Sequence, residues 1–228
     1  MTTLDGAHVL VLGATGGLGS AIAHRLTGEG ARLTLSARDP ARLATLADSL
    51  GDSVLTTVPA DLTRPDAPTA VLARASAAAP LDGIVNAAGV VAFGDAADLD
   101  DDTFDELLLL DLVAPVRLVR AAAEHLAEGG FVAQVSAVVA ERPMPGMAAY
   151  SAVKAGLTAF DAAVATELRR RRIRVLDARP PHTETGLADR PIAGSAPRLP
   201  QGLDPAVVAA RIVQAILDDE RDLPSTAF

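Results

Sequence analysis

The 228-residue chain has no cysteine and no tryptophan, and its aromatic residues are five Phe and a single Tyr. Without cysteine there can be no disulfide, no thiolate nucleophile and no Cys-bound zinc, and no oxidising compartment is needed. With so few aromatics, the core must be filled by Ala, Val, Leu and Ile, which at this length suffice for one compact domain. A basic excess is also missing. The formal net charge is −9 and the pI is near 4.8, so nucleic acid and anionic membrane surfaces would repel the chain, and a small molecule is the expected partner. Long apolar runs are absent too: uncharged stretches such as Gly83–Gly94 and Gly129–Ala140 are too short to span a bilayer. Met1 to Gly6 carries no basic run ahead of the first apolar segment, so the expected location is cytoplasmic. No metal is expected.

What is present is an alternation of two periods. Ala7–Leu12 is a short apolar run ending in glycines, and Ser20–Thr27 then shows helical spacing. The same pair recurs as strand Ala31–Ser36 with helix Pro40–Leu50, and as strand Ser53–Pro59 with helix Pro65–Ala78, before strand Leu81–Asn86. Parallel strands need crossover helices, so this pattern predicts a doubly wound, three-layer α/β/α domain over residues 1–228. Thr103–Leu110 and Val116–Ala127 read as one helix or as two joined at Pro115, whose missing N–H perturbs a continuous helix. Strand Phe131–Ser136, long helix Ala149–Arg172 and strand Ile173–Ala178 follow. A proline-rich stretch, Arg179–Gly202, is expected to be a substrate loop or lid. Helix Pro205–Leu217 and a terminal edge strand over Leu223–Phe228 close the chain. Arg169–Arg172 reads as a basic helix end favoured by the helix dipole.

The glycine turn Gly13-Ala14-Thr15-Gly16-Gly17-Leu18-Gly19 lies directly after the first strand and opens the first helix. In that context glycines let backbone approach a pyrophosphate at a helix N-terminus, although such a turn also serves tight strand–helix packing. The second strand ends in Ser36-Ala37-Arg38-Asp39. The position where a carboxylate would bind a ribose 2′-OH is therefore not acidic, and Arg38, with Arg42 a turn on, offers a partner to a 2′-phosphate. That pattern favours NADP(H) over NAD(H). Asp61 and Leu62 follow the third strand, where Asp61 either accepts from an adenine amino group or caps the next helix. Asn86-Ala87-Ala88-Gly89 ends the fourth strand with small residues, which suit a passing ribose or a tight core turn.

The only tyrosine, Tyr150, precedes Lys154 by four residues, which puts phenol and ammonium on one helix face. A phenol is a poor base at neutral pH unless a neighbouring cation stabilises phenolate, and Lys154 supplies one. Taken in order along nearly the whole chain, these motifs resemble the short-chain dehydrogenase/reductase family in its single-domain form. Its glycine turn is similar to Leu12 through Gly19, with Leu12 in place of Thr; its N-N-A-G is similar to Asn86 through Gly89, with Ala87 in place of Asn. Its Y-x-x-x-K is matched by Tyr150 and Lys154. The resemblance implies a Rossmann-like fold and reversible hydride transfer between a nicotinamide and a ketone, aldehyde or secondary alcohol. In that reaction Tyr150 is the acid/base and Lys154 its partner, and Lys154 also holds the nicotinamide ribose. A homodimer or homotetramer is implied as well.

Besides Leu12 and Ala87, the chain departs from the family in three further places. The carbonyl-orienting Ser that the family places thirteen residues before its Tyr falls on Ala137, with Ser136 one residue earlier. Neighbouring strand residues face opposite ways, so Ser136 replaces it only if the strand bulges. The family's Asn in the middle helix falls on Asp111, whose charge would alter how Lys154 and Tyr150 titrate. The P-G loop reads Pro180-Pro181-His182-Thr183-Glu184-Thr185. There Pro180, Thr183 and Thr185 are implied cofactor contacts, and His182 is a candidate for the donor lost at position 137, or simply an exposed loop residue.

Overall fold

The computed structural model describes residues 1–228. The strands are β1 (His8–Leu12), β2 (Arg32–Ala37), β3 (Val54–Pro59), β4 (Leu81–Asn86), β5 (Leu126–Val135), β6 (Arg174–Ala178) and β7 (Asp222–Leu223). They form one parallel sheet in the order β3-β2-β1-β4-β5-β6-β7. Both faces are covered, so β1 is buried at every position, which explains its unbroken apolar sequence. Leu10 and Leu12 face a core with helices α3 (Ala67–Ala78), α4 (Asp101–Leu108), α5 (Ala114–His125) and α6 (Ala148–Glu167). Val9 and Val11 face another with α1 (Gly17–Gly28), α2 (Pro40–Leu50) and α7 (Pro205–Leu217). Each fully buried aliphatic side chain in these layers contributes roughly 2 kcal/mol. The chain steps outward from β1 to β3 and then returns to lay β4 on the other side of β1. This reversal opens a crevice at the carboxyl ends of β1 and β4.

The link between α4 and α5 is continuous helix widened into a π turn over Leu109–Val113. Pro115 stands at the start of α5, so the wider turn absorbs the proline that sequence reading expected to disturb the helix. Leu107 and Leu110 are core residues. Three sequence boundaries are corrected. Helix α5 ends at His125, and β5 begins at Leu126, interrupted by an irregularity near Gly129, whose φ is +89°. Helix α6 ends at Glu167 and tightens into a 3₁₀ turn, Leu168–Arg171, closed by left-handed Arg172. The terminal strand is only Asp222–Leu223, because Ser225–Ala227 turns back on itself.

The stretch 179–202 is tied down at both ends of its length. Ile192 N donates to Val91 O at 2.9 Å, Phe93 N to Ala193 O at 3.0 Å, and Leu203 N to His182 O at 2.9 Å. Gly194 permits the first of these seams, since a Cβ there would lie 1.9 Å from Phe93 O. The stretch is a strap laid along the segment after β4. No helix is long and apolar enough to cross a membrane.

Candidate active site

The crevice widens into a cleft of about 620 Å³ bordered by the carboxyl ends of β1 through β6. At one end lies the glycine turn. Gly13 has φ +69°, and a Cβ there would sit 2.5 Å from Ala88 N; Gly19 would put a Cβ 2.2 Å from Gly13 O. Gly13 therefore lets the turn after β1 press against the turn after β4. Gly19 does not line the cleft: it packs α1 on the turn, so its expected role as a direct cofactor contact becomes a supporting one. The N-cap of α1 is Gly16, with no side-chain cap, and the N–H groups of Gly17, Leu18 and Gly19 make no hydrogen bond in the chain. Bare donors at the positive end of a helix dipole fit an anionic phosphate.

Thr15, Arg38 and Arg42 line the same end. Arg42 is anchored by donating to Thr15 O at 2.6 Å, and Asp39 caps α2 by accepting from Ala41 N and Arg42 N at 2.9 and 3.1 Å. The carboxylate next to Arg38 in sequence is thereby turned onto a helix terminus. Leu62, Ala87 and Gly89 also border the cleft. Asp61 does not. Its Oδ1 accepts from the backbone and hydroxyl of Thr63 at 3.1 and 2.7 Å, which holds its carboxyl below the usual range; it closes a local turn and does not cap the next helix, whose N-cap is Asp66. Asn86 is likewise a brace, donating to Gln134 Oε1 at 2.8 Å and accepting from Ala88 N at 3.3 Å.

At the other end, α6 carries Tyr150 and Lys154 into the cleft on one face. The Lys154 Nζ lies 5.7 Å from the Tyr150 ring centre, donates to Val135 O at 3.3 Å and stands 3.6 Å from Asp111 Oδ1. Asp111 comes from the π turn, and Gly89 gives it room: a Cβ on Gly89 would meet Asp111 Oδ1 at 2.7 Å. Its Oδ1 also accepts from Val90 N at 3.2 Å, while its Oδ2 is buried without a partner. Burial pushes the Asp111 carboxyl up to about 6 in spite of the opposing charge of Lys154. Burial, with the negative charge of Asp111 second, also raises the Tyr150 phenol above its ordinary value. The Tyr150 hydroxyl makes no hydrogen bond within the chain.

Ser136 borders the cleft, but its hydroxyl is engaged away from the position of the missing donor. Its N donates to Ala178 O at 2.8 Å and Val138 N to Pro180 O at 3.0 Å, so the ladder continues past β5 without a bulge and Ala137 keeps the cleft-facing position. The Ser136 hydroxyl donates to Lys154 O at 3.2 Å and lies 3.2 Å from Thr158 Oγ1. It belongs to a buried polar layer behind α6 that sequence reading missed. In that layer Asp161, with neither carboxyl oxygen partnered, is pushed up to about 8 by burial and then by the charge of Asp177. Arg179 gathers Asp177, Glu141 and Asp222 at 2.5, 2.6 and 2.6 Å. Only the unusual sight of two acids at core positions signalled this layer in the sequence.

The strap completes the walls. Pro180, His182, Thr183 and Thr185 border the cleft, with Thr183 Oγ1 donating to Pro181 O at 2.9 Å and His182 Nε2 only 3.6 Å from Glu184 Oε1. Val91, Phe93, Met144, Met147, Leu187 and Ile192 make the far wall apolar. Arg190, which no sequence motif singled out, also reaches the cleft.

This arrangement matches known proteins. The family model described as short chain dehydrogenase covers residues 7–193. The chain is 34% identical over 195 residues to Nodulation protein G of Rhizobium sp. (strain N33), spanning 83% of this chain and 78% of that one. It is 33% identical over 177 residues to a galactitol 2-dehydrogenase (L-tagatose-forming) of Cereibacter sphaeroides, spanning 75% and 69%. Among solved structures, a short-chain dehydrogenase from Sphingobium yanoikuyae in complex with NADPH superposes with a TM-score of 0.86 at 29% identity, covering 96% of this chain and 87% of that one. One from Burkholderia cenocepacia J2315 in complex with NADP gives 0.84 at 28%, covering 98% of each. The chain belongs to the short-chain dehydrogenase family. It is thus a member of an oxidoreductase family that acts on small molecules.

Proposed function

We propose that the chain is an NADP(H)-dependent carbonyl reductase acting on apolar ketones or aldehydes, and reversibly on the matching secondary alcohols. The observation that carries this reading is that Tyr150 and Lys154 open into the same cleft as the uncapped N-terminus of α1 and Arg38. Solved relatives hold NADP(H), and a fold neighbour holds NAD, so the preference for the 2′-phosphate rests on Ala37 and Arg38. When bound, the nicotinamide supplies or accepts the hydride. The residues of the chain handle position and proton. The donors of Gly17 and Leu18 hold phosphate, Arg38 and Arg42 the 2′-phosphate, and Thr15, Leu62, Ala87, Gly89, Pro180, Thr183 and Thr185 shape the nucleotide's walls. Tyr150, whose phenol is protonated, donates its hydroxyl proton to the carbonyl oxygen. Lys154 stabilises the phenolate left behind, and His182 supplies a second donor to the oxygen. The strap of residues 179–202 covers the substrate, and its apolar wall with that of Val91 and Phe93 selects for apolar groups. Self-association through the outer face of the π-widened helix, where Phe104 is exposed and Leu108 and Leu112 are half-buried, belongs to the same reading.

A second reading has its own support. Ala137 removes an oxyanion donor and Ser136 is turned away, as expected for an NADP(H)-binding regulatory or partner subunit that does not turn over. Purified chain offered NADPH or NADH with a panel of apolar ketones and aldehydes separates the two. Oxidation of NADPH in preference to NADH, lowered about 10³-fold in Tyr150→Phe with nucleotide binding kept, is the expected result. Nucleotide binding with no oxidation across the panel selects the second reading.

A further inference from the structure

Arg190 is one of the cations of this acidic chain that no carboxylate pairs, and it is held in the cleft wall. Its Nε donates to Gly186 O at 2.9 Å and one terminal nitrogen reaches Thr185 O at 3.4 Å. No carboxylate pairs with it, and Nη1 makes no hydrogen bond at all. Both anchors are main-chain carbonyls on one edge of the guanidinium. They fix the group on the strap and leave its other edge free, the geometry of a fork held ready for a planar anion.

Its location narrows which anion. Gly17, the first residue of α1, has no space for a side chain because a Cβ would lie 2.7 Å from Thr185 O. That same carbonyl oxygen is the one Arg190 donates to. The guanidinium and the turn that opens α1 thus pack on one carbonyl, and Arg190 lines the cleft together with Gly17 and Leu18. Arg38 and Arg42 lie in the turn and helix after β2, so the cleft carries two separate cationic positions, one from that sheet edge and one from the strap.

We infer that Arg190 is an anion clamp: from the strap it grips the diphosphate that the α1 N-terminus holds from below, which ties the substrate cover to the bound nucleotide. This rests on the cofactor reading above. The chemistry recognised is a pair of anionic oxygens, and a carboxylate on the substrate is the other source that could present it. A diphosphate is common to NADP and NAD, whereas the phosphate near Arg38 is not, and this difference supplies the test.

Dissociation constants for NADP+ and NAD+ are measured by titration calorimetry on the full chain and on Arg190→Ala and Arg190→Lys. The expected result is a loss of about tenfold for both nucleotides in Arg190→Ala, with their ratio unchanged, and a smaller parallel loss in Arg190→Lys, which keeps the charge but not the fork. A loss confined to NADP+ would overturn the inference by making Arg190 a 2′-phosphate ligand. Unchanged constants would overturn it as well. If the KM of a keto acid then rises while that of the matching neutral ketone does not, Arg190 is a substrate-carboxylate ligand; if neither moves, it binds no anion. A wild-type chain that binds neither nucleotide fails the cofactor reading itself, whereas normal wild-type binding with an unaffected Arg190→Ala fails only the clamp.

Discussion

The two ends of the cleft are built from different materials. The glycine end uses backbone: uncapped N–H groups of α1, the left-handed Gly13 and the small residues after β4. The tyrosine end uses side chains: Tyr150 and Lys154 from one face of α6, Asp111 from the π turn and His182 from the strap. Backbone sites tolerate drift in most side chains but not the gain of a Cβ. Side-chain sites can be altered one atom group at a time, and this chain has been altered there at 137 and 111 while its glycine turn is kept. The expectation is a nucleotide end that works as the fold dictates and a reaction end with a weakened carbonyl grip.

The sharpest way to break that contrast is to restore the grip. Position 137 is extended, with φ −164° and ψ 159°, and lies in the cleft wall, so Ala137→Ser adds a hydroxyl without asking the backbone to move. If the reaction end is limited by the missing donor, kcat/KM for ketone reduction rises on the order of 10²-fold in the variant, measured under NADPH saturation. An unchanged or lower rate would mean that the carbonyl is already oriented by another group, and the contrast between the two ends would fail. A smaller effect probes the glycine end. Arg38→Ala should weaken NADP+ about tenfold and leave NAD+ nearly untouched, as seen by titration, since only one of them carries the 2′-phosphate. Equal loss for both would place Arg38 outside the phosphate pocket.

The same division explains what was legible in the sequence. Strand–turn–helix alternation, the parallel sheet and the glycine turn follow from period and glycine placement, which are local properties. The pairing of Tyr150 with Lys154 is also local, because one helix turn separates them. That Asp111 bears on Lys154 was legible from its place in the motif order; how it meets Lys154 depends on a π turn and on the bare face of Gly89, neither of which has a periodic signature. Ser136 was read against the rule of strand alternation, and the unbroken ladder to Ala178 and Pro180 decides it. Arg190 was missed because a proline-rich stretch offers no period from which to tell which side chains return to the cleft. Asp161 and Asp177 were passed over as ordinary helix and strand residues, since their burial is set by contacts between α6 and β6 rather than by neighbours in sequence.

The smallest effect and the finest test concerns the charge at 111. Asp111 has a folded pKa of about 6, above its ordinary 3.8, because burial outweighs the attraction of Lys154. A group raised in this way contributes stability that is complete below the unfolded value and is lost as pH rises through about 6. Asp111→Asn removes that loss, so the fall in stability of up to about 3 kcal/mol as pH rises through 6 should be absent from the variant, and the inflection near pH 6 in thermal stability should disappear. The same charge raises the Tyr150 phenol. In the neutral variant Tyr150 should become a better base, so alcohol oxidation at neutral pH should quicken a few-fold and its alkaline half-point should move to lower pH, while NADP+ affinity stays as it was. A merely structural role for Asp111 would change stability without moving that half-point. An unmoved half-point would therefore separate the reaction end from its altered acid and leave Ala137 as the only departure that matters.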